Sequence, residues 1–310
     1  MDYQAFVREQ IEYIKKEVGD GLAINALSGG VDSSVVTVLG HRALGDRLKT
    51  VFIDNALMRQ GEPERVKQIF AKMGIPVRLV EAKTEFLNAL KGLTDPEEKR
   101  QAITKTFYAK VFKHLVKETG AKTLLHGTIL TDIEETVAGI KRQHNILAQM
   151  GIDPEKEFGY KVLEPLRTLR KDGVREVAKL LGLPEEITKR MPFPGPALAA
   201  RIVGEVTEER LDLIRKATAI VEEELQESGA FQYLAVLLND RATGIRDGQR
   251  EFGQIIVVRC VYSVDARTAT VAELPWGKLH HLSQRITSLK GVNRCLYDLT
   301  PKPPATIEYI

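Results

Sequence analysis

Only two cysteines, Cys260 and Cys295, occur in the 310 residues, each inside an apolar run. That excludes a disulfide framework and any Cys-x-x-Cys metal or redox site, and it assigns both thiols to core filling. Aromatic residues are scarce at 6%, with a single tryptophan. No segment approaches the ~18 consecutive apolar residues of a membrane span. In place of the apolar stretch of a signal peptide, the N-terminus sets Asp2, Arg8, Glu9 and Glu12 into a helical pattern, so a cytoplasmic protein is expected. A formal charge of +3 is too small for its length to suggest a nucleic-acid partner. Internal repeats and low-complexity tracts are missing. So are the Gly-Lys-Ser/Thr ending of a Walker loop and the Gly-x-Gly-x-x-Gly dinucleotide fingerprint, which disfavours a plain NTPase or a dehydrogenase.

What is present is a run of a different kind, Ser28-Gly29-Gly30-Val31-Asp32-Ser33-Ser34, between an apolar strand at 22–27 and an apolar helix opening at Val31. Adjacent glycines let a backbone take positive φ and bring its amides close to a ligand. The helix start adds unpaired N–H groups and partial positive charge. Such a junction binds phosphate. Three serine hydroxyls add donors, and Asp32, which alone would repel a phosphate, makes sense as the ligand of a magnesium ion bridging phosphates. An ordinary capped turn needs one such polar residue, not all of them.

The first part of the chain alternates strand and helix signals: strands at 22–27, 50–53, 77–80 and 123–126, helices at 31–44, 62–73, 97–118 and 172–181. That order predicts an α/β fold with a doubly wound parallel sheet. Crossover connections place every strand C-terminus on one edge, where such sheets bind ligands. The 28–34 loop, Asp54-Asn55 and Gly127-Thr128 all fall there. The polar stretches 82–101 and 129–160 exceed ordinary βα connections and are expected to act as lids. At 191–196, three prolines stiffen the chain, which sets the expected division into domains 1–188 and 189–310. Beyond it, a helix at 208–227, strands at 233–238, 255–263 and 294–299 and a helix at 275–289 predict a small α+β domain. Its strand at 255–262 is apolar on both faces, which predicts a partner surface and dimerisation.

Other clusters are ambiguous on pattern alone. Lys141-Arg142-Gln143-His144-Asn145 suits neutralisation of phosphate charge, and equally a solvated basic face. Asp132, Glu134 and Glu135 suit a second magnesium or a helix start, the latter favoured for Glu135. Arg241, Arg246, Asp247 and Gly248 read as a polar hairpin turn or as a phosphomonoester contact. The end of the chain, 302–310, is rigid and apolar where termini are usually frayed, and reads as a tail tied to a ligand or docked on its own core. His280 and His281 are adjacent on a predicted helix and cannot share a face, so no metal pair is assigned to them.

With these residues in hand, the chain resembles the ATP pyrophosphatase subunit of GMP synthetase. The 28–34 run is similar to the pyrophosphate loop of N-type ATP pyrophosphatases, which NAD synthetase and tRNA-modifying enzymes also carry. The resemblance is narrowed by Val51-Phe52-Ile53-Asp54-Asn55, by Asp95-Pro96-Glu97-Glu98-Lys99-Arg100, by His126-Gly127-Thr128-Ile129, by Phe193-Pro194-Gly195-Pro196, and above all by Lys302-Pro303-Pro304-Ala305-Thr306-Ile307-Glu308. It implies an adenine nucleotide α-hydrolase-like first domain and a C-terminal dimerisation domain that binds XMP. ATP would adenylate XMP at its C2 oxygen, and ammonia would then displace AMP to leave GMP.

By the same resemblance, Ser28, Gly29, Gly30, Val31, Asp32, Ser33, Ser34, Phe52, Gly127 and Thr128 bind ATP, with Asp32 holding magnesium and Lys141 approaching the reacting phosphate. Arg100, Gln232, Arg294, Lys302, Ile307 and Glu308 contact XMP. The run Gly244-Ile245-Arg246-Asp247-Gly248 is one residue shorter than the family form, and the lid reads Gln-His-Asn where His-His-Asn is common. The single-chain form of the family carries a glutamine amidotransferase domain ahead of the ATP domain, whereas only about twenty residues precede the loop strand here. The resemblance therefore implies free ammonia or ammonia from a separate glutamine amidotransferase subunit. A tRNA-acting module is disfavoured by the balanced charge and missing Cys pairs, and NAD synthetase by the closing segment.

Overall fold

A computed structural model describes residues 1–137 and 159–310. Lys141 and the rest of its basic cluster lie outside the described residues. Two compact units emerge, the first built from 1–54, 61–82 and 104–190, the second from 55–60, 83–103 and 191–310.

The first unit starts with helix α1 (Tyr3–Val18), strand β1 (Ala23–Ala26), helix α2 (Val31–Leu44), strand β2 (Leu48–Asp54), helix α3 (Glu62–Lys72) and strand β3 (Val77–Glu81). After an excursion into the second unit come a π-helical segment (Thr106–Phe112), α6 (Lys113–Thr119), β4 (Thr123–Leu125), α7 (Leu130–Val137), β5 (Lys161–Leu163), α8 (Lys171–Leu180) and the short α9 (Glu185–Thr188). All strand pairings in this sheet are parallel, in the order β3-β2-β1-β4-β5. The order reverses between β1 and β4, so the loops leaving these two strands straddle the switch point of the sheet.

Continuous apolar runs fit strands covered on both faces. Ile24, Phe52, Val35, Leu39 and Phe70 are all buried. Helices α1, α2 and α8 pack together, α8 burying Val174, Val177 and Ala178. A buried polar chain ties the sheet to the helix behind the loop: Thr50 Oγ1 donates to Asn25 Oδ1 at 2.8 Å, Asn25 Nδ2 to Thr37 Oγ1 at 2.6 Å, and Thr37 Oγ1 to the Ser33 carbonyl at 2.8 Å. Every buried partner is satisfied, which fixes β1, β2 and α2 in register.

The second unit holds the excursion helices α4 (Lys83–Leu90) and α5 (Pro96–Lys105, of which 104 and 105 count with the first unit), a 3-10 turn (Ala197–Arg201) and α10 (Glu208–Leu225). Two long strands follow, β6 (Gln232–Arg246) and β7 (Gln249–Tyr262), then β8 (Thr270–Val271), α11 (Trp276–Thr287) and β9 (Val292–Tyr297). β7 pairs antiparallel with β6 and β8 and parallel with β9. At the hairpin tip Asp247 and Gly248 have φ of 50° and 75°, the two positive values of a two-residue type I′ turn.

Several expectations change. The stretch 82–101 is not a lid-like loop: most of it is α4 and the start of α5. The helix expected at 97–118 exists but is π-helical in its middle. β5 and β8, too short for a periodic signal, went unread. The doubly apolar strand is not a free partner surface, because Ile256, Val257, Val258, Cys260 and Val261 are all buried within the chain. Arg246 serves the fold: it pairs with Glu251 at 3.0 Å and donates to the carbonyls of Thr287, Leu289 and Val292, capping the end of α11. Among the described residues no helix is long and apolar enough to cross a membrane.

Candidate active site

In the first unit the chain leaves β1 into the glycine loop. Gly29 takes φ +77°, and a Cβ there would lie 2.6 Å from Arg190 Nη1 and 2.9 Å from Val66 Cγ2, so conformation and space both require glycine. Arg190 Nη1 donates to the Gly29 carbonyl at 2.7 Å and also pairs with the buried Glu62. Ser33 Oγ donates its one proton to the Gly30 carbonyl at 3.0 Å. At its 2.9 Å contact with Ser28 Oγ it is therefore the acceptor, and it also receives the Ser28 amide at 3.2 Å. The two hydroxyls thus lock the loop from within. The first-turn amides of α2 have no intrahelical carbonyl to bond and remain for a ligand.

Asp32 stands in this first turn. Lys171 Nζ, at the start of α8, donates to its Oδ2 at 2.6 Å. Its Oδ1 is buried with no hydrogen-bond partner among the described residues. A buried carboxylate oxygen left this way is costly unless a cation meets it. This donor chemistry fits magnesium, which takes carboxylate oxygen alongside phosphates. Among the described residues there is no cluster of three or more metal-ligating side chains.

Gly127, after β4, comes up against the same helix start: a Cβ on it would lie 3.2 Å from the Ser33 nitrogen. Thr128 Oγ1 donates to Glu164 at 2.7 Å, so at 2.7 Å His126 Nδ1 donates to it. The other ring nitrogen, Nε2, lies 3.4 Å from Tyr108 OH. Burial pushes the Tyr108 hydroxyl up to about 12, which keeps its proton in place. The π-helical segment puts Tyr108 there. Phe52 is buried in mid-β2, its position opposite Leu79 of β3. Asp132 accepts the Ile129 amide at 3.1 Å, and Glu134 pairs with Arg170, which favours the helix-start reading for this stretch.

The second unit gathers a different set. Glu308 near the end of the chain receives Arg201 Nε at 3.2 Å, Arg201 Nη2 at 3.1 Å and Gln232 Nε2 at 2.6 Å. Arg201 is 1% exposed and its Nη1 has no hydrogen-bond partner among the described residues. Phe193 lies under two guanidinium groups, Arg59 at 4.0 Å and Arg201 at 5.0 Å from the ring centre. Arg259, fully buried, binds Asp298 at 2.7 Å and the carbonyls of Thr300 and Ile307. Ile307 inserts among Leu234, Val236, Val257, Val261 and Ala269. The tail is therefore docked on its own core, and that docking presents Glu308.

Lys302 Nζ donates to the Ala266 carbonyl at 2.8 Å, which leaves further ammonium protons for a ligand. The structure thus brings Gln232, Ile307 and Glu308 together and sets Lys302 on the same tail. Arg100 lies on α5, with Glu97 at 4.0 Å, and Arg294 is exposed on β9 opposite Ile255. Sequence reading missed Lys171, Arg190, Arg201 and Arg259. For the last two a signal existed: a lone arginine in an apolar run implies a buried cation with a dedicated partner.

Two known families match parts of the chain: residues 2–131 match the one described as NAD synthase, and residues 218–309 the one described as GMP synthase C terminal domain. Over its whole length the chain is similar to proteins named as a subunit of GMP synthase (glutamine-hydrolyzing). It is 52% identical to that of Archaeoglobus fulgidus, covering 100% of both chains. It is 49% identical to that of Methanopyrus kandleri, covering 99% of both, and 48% identical to that of Pyrococcus horikoshii, covering 100% of both.

Proposed function

The chain belongs to the family of these GMP synthase (glutamine-hydrolyzing) subunits, and from that membership we propose how its two units divide the reaction. It is the synthetase subunit, an ATP-using ligase that forms the carbon–nitrogen bond of GMP from XMP. The observation that carries the division of labour is Asp32, with one oxygen on Lys171 and the other buried without a hydrogen-bond partner among the described residues, in the first turn of a helix behind a glycine loop.

In the first unit, the amides of 29–33 and the start of α2 hold the pyrophosphate part of ATP, and Lys171 adds charge there. Asp32 would hold magnesium, which when bound spreads the charge of the departing pyrophosphate. Little covalent chemistry is asked of the protein. Preorganised donors stabilise the leaving group, and the interlocked Ser28 and Ser33 hydroxyls keep those donors from needing to reorganise. The backbone at Phe52 and the Gly127-Thr128 edge receive the nucleoside, and Lys141 approaches the α-phosphate.

In the second unit, Glu308 accepts hydrogen bonds from the N–H groups of the XMP base. Arg201 and Gln232 hold its carboxylate in place. The cations of Arg100, Arg294 and Lys302 suit the monophosphate, and the Ile307 backbone lines the same contact. Ammonia comes from a separate glutaminase subunit, a reading supported by the relatives' being named as one subunit of a glutamine-hydrolyzing enzyme. Dimerisation through the second unit is supported by its exposed large apolar residues, among them Ile245, Phe252, Trp276 and Leu299.

The test is direct. The purified chain is incubated with ATP, magnesium and XMP, with either ammonium or glutamine, and the nucleotides are separated by chromatography. GMP and AMP are expected with ammonium and not with glutamine. ATP cleavage that requires a different acceptor would overturn the XMP assignment and retain the loop.

A further inference from the structure

α5 buries Lys99 and Ile103 on one face, four residues apart. The amphipathic pattern calls for an apolar residue at both. Yet Lys99 is 2% exposed, and its ammonium donates to the carbonyls of Ile202 at 2.8 Å and Gly204 at 2.9 Å. Arg210 takes the alternate carbonyls of the same loop: Val203 at 2.9 Å and Glu205 at 2.6 Å. Four successive carbonyls are thus held by two cations. The loop has little freedom besides, since Gly204 has φ +90° and a Cβ there would lie 2.4 Å from Asn239 Oδ1. From the other side, Glu205 Oε1 accepts the Gly92 amide at 2.7 Å. The 202–205 loop therefore grips the excursion 83–103 at two points, one of them the lysine.

Packing alone does not explain an ammonium at this position. A methionine has nearly the same length and would complete the apolar face without desolvating a charge. What the ammonium adds is direction: two fixed hydrogen bonds set the rotation of α5 about its axis, where an apolar contact would leave latitude. Arg100 is the next residue on that helix, so its bearing follows from the same rotation.

We propose that Lys99 is a positioning residue for the nucleotide acceptor, clamping α5 to the 202–205 loop and thereby fixing where Arg100 presents its guanidinium. The inference rests on the reading of Arg100 as an XMP contact. The full-length enzyme is assayed with ammonium as nitrogen donor in four forms: wild type, R100A, K99M and the double variant. R100A and K99M are each expected to raise the KM for XMP about tenfold, with the KM for ATP and kcat within about twofold of wild type, the pattern of lost substrate binding. The double variant is expected to match R100A, because a misplaced side chain that has been removed cannot be lost again.

Should K99M melt below the assay temperature, K99Q replaces it. An unchanged XMP KM in R100A removes the premise and the proposal with it. A raised KM in R100A beside an unchanged one in K99M leaves Arg100 its role and overturns that of Lys99. Multiplying effects in the double variant, or an equal rise in the KM for ATP, would mean general structural damage and would also overturn it.

Discussion

At the scale of single residues, Asp32 joins the chemistry of the loop to its surroundings, because its two oxygens have different fates. Lys171 holds one at 2.6 Å from a position 139 residues away, and the other is buried facing no hydrogen-bond donor among the described residues. Asp32→Asn keeps the size and an oxygen that can still accept from Lys171, and removes the negative charge a metal needs. ATP–pyrophosphate exchange is expected to fall about 100-fold or more, the cost of losing one such electrostatic element. The melting temperature should stay within a few degrees of wild type. Undiminished exchange would remove Asp32 from the metal site. The sequence singles out this aspartate as a candidate because a carboxylate inside a glycine-serine loop at a helix start has little other use. It does not single out the lysine, since nothing local to Lys171 says which carboxylate it will meet.

At the scale of elements, α10 and α11 are joined by charge. Glu224 is 7% exposed and accepts from Arg285 at 2.7 Å, Lys278 at 3.1 Å and His281 at 3.2 Å, while Glu223 takes the second arm of Arg285. Arg285 foremost, with Lys278 and His281, holds the Glu224 carboxyl down to about 2 against the opposing effect of burial. Its ordinary value is 4.5, so the stabilisation is complete above that, erodes as pH falls below it and is gone below about 2. Glu224→Gln is expected to lower stability at neutral pH by about 1–2 kcal/mol, discounted because the cations are partly solvated, and to flatten the acid limb between these values. Denaturant melts at pH 7 and pH 3 measure both. An equal loss at the two pH values would contradict the ionic account. His281 carries no legible role in the sequence because its partner lies on another helix, and a cross-helix contact leaves no periodic trace.

At the scale of the whole molecule, the apolar half of β7, from Ile256 to Val261, is buried within the chain, so association has to use other surfaces. Ile245 and Phe252, 82% and 64% exposed on neighbouring strands of the β6–β7 hairpin, are candidates. Sedimentation equilibrium at micromolar concentration is expected to give twice the mass of one chain, and Phe252→Asp to shift it toward the single-chain mass. A wild type that sediments as one chain would end the dimer proposal.

The sequence alone determined the parallel α/β architecture, the glycine-serine loop between β1 and α2, the edge of the sheet on which it opens and the diagnostic closing segment. These features are local: strand and helix periods, two adjacent glycines and a rigid tail are written in consecutive residues, and short-range sterics decide them. Tertiary structure alone decided that 83–103 packs with the second unit, that Lys99 is buried among carbonyls, that Arg201 and Gln232 hold Glu308, and that Arg259 pins the tail. Each of these pairs groups tens to hundreds of residues apart. Such pairings exist only once the chain has closed its long loops, and the sequence carries them as isolated charges whose partners folding has to choose.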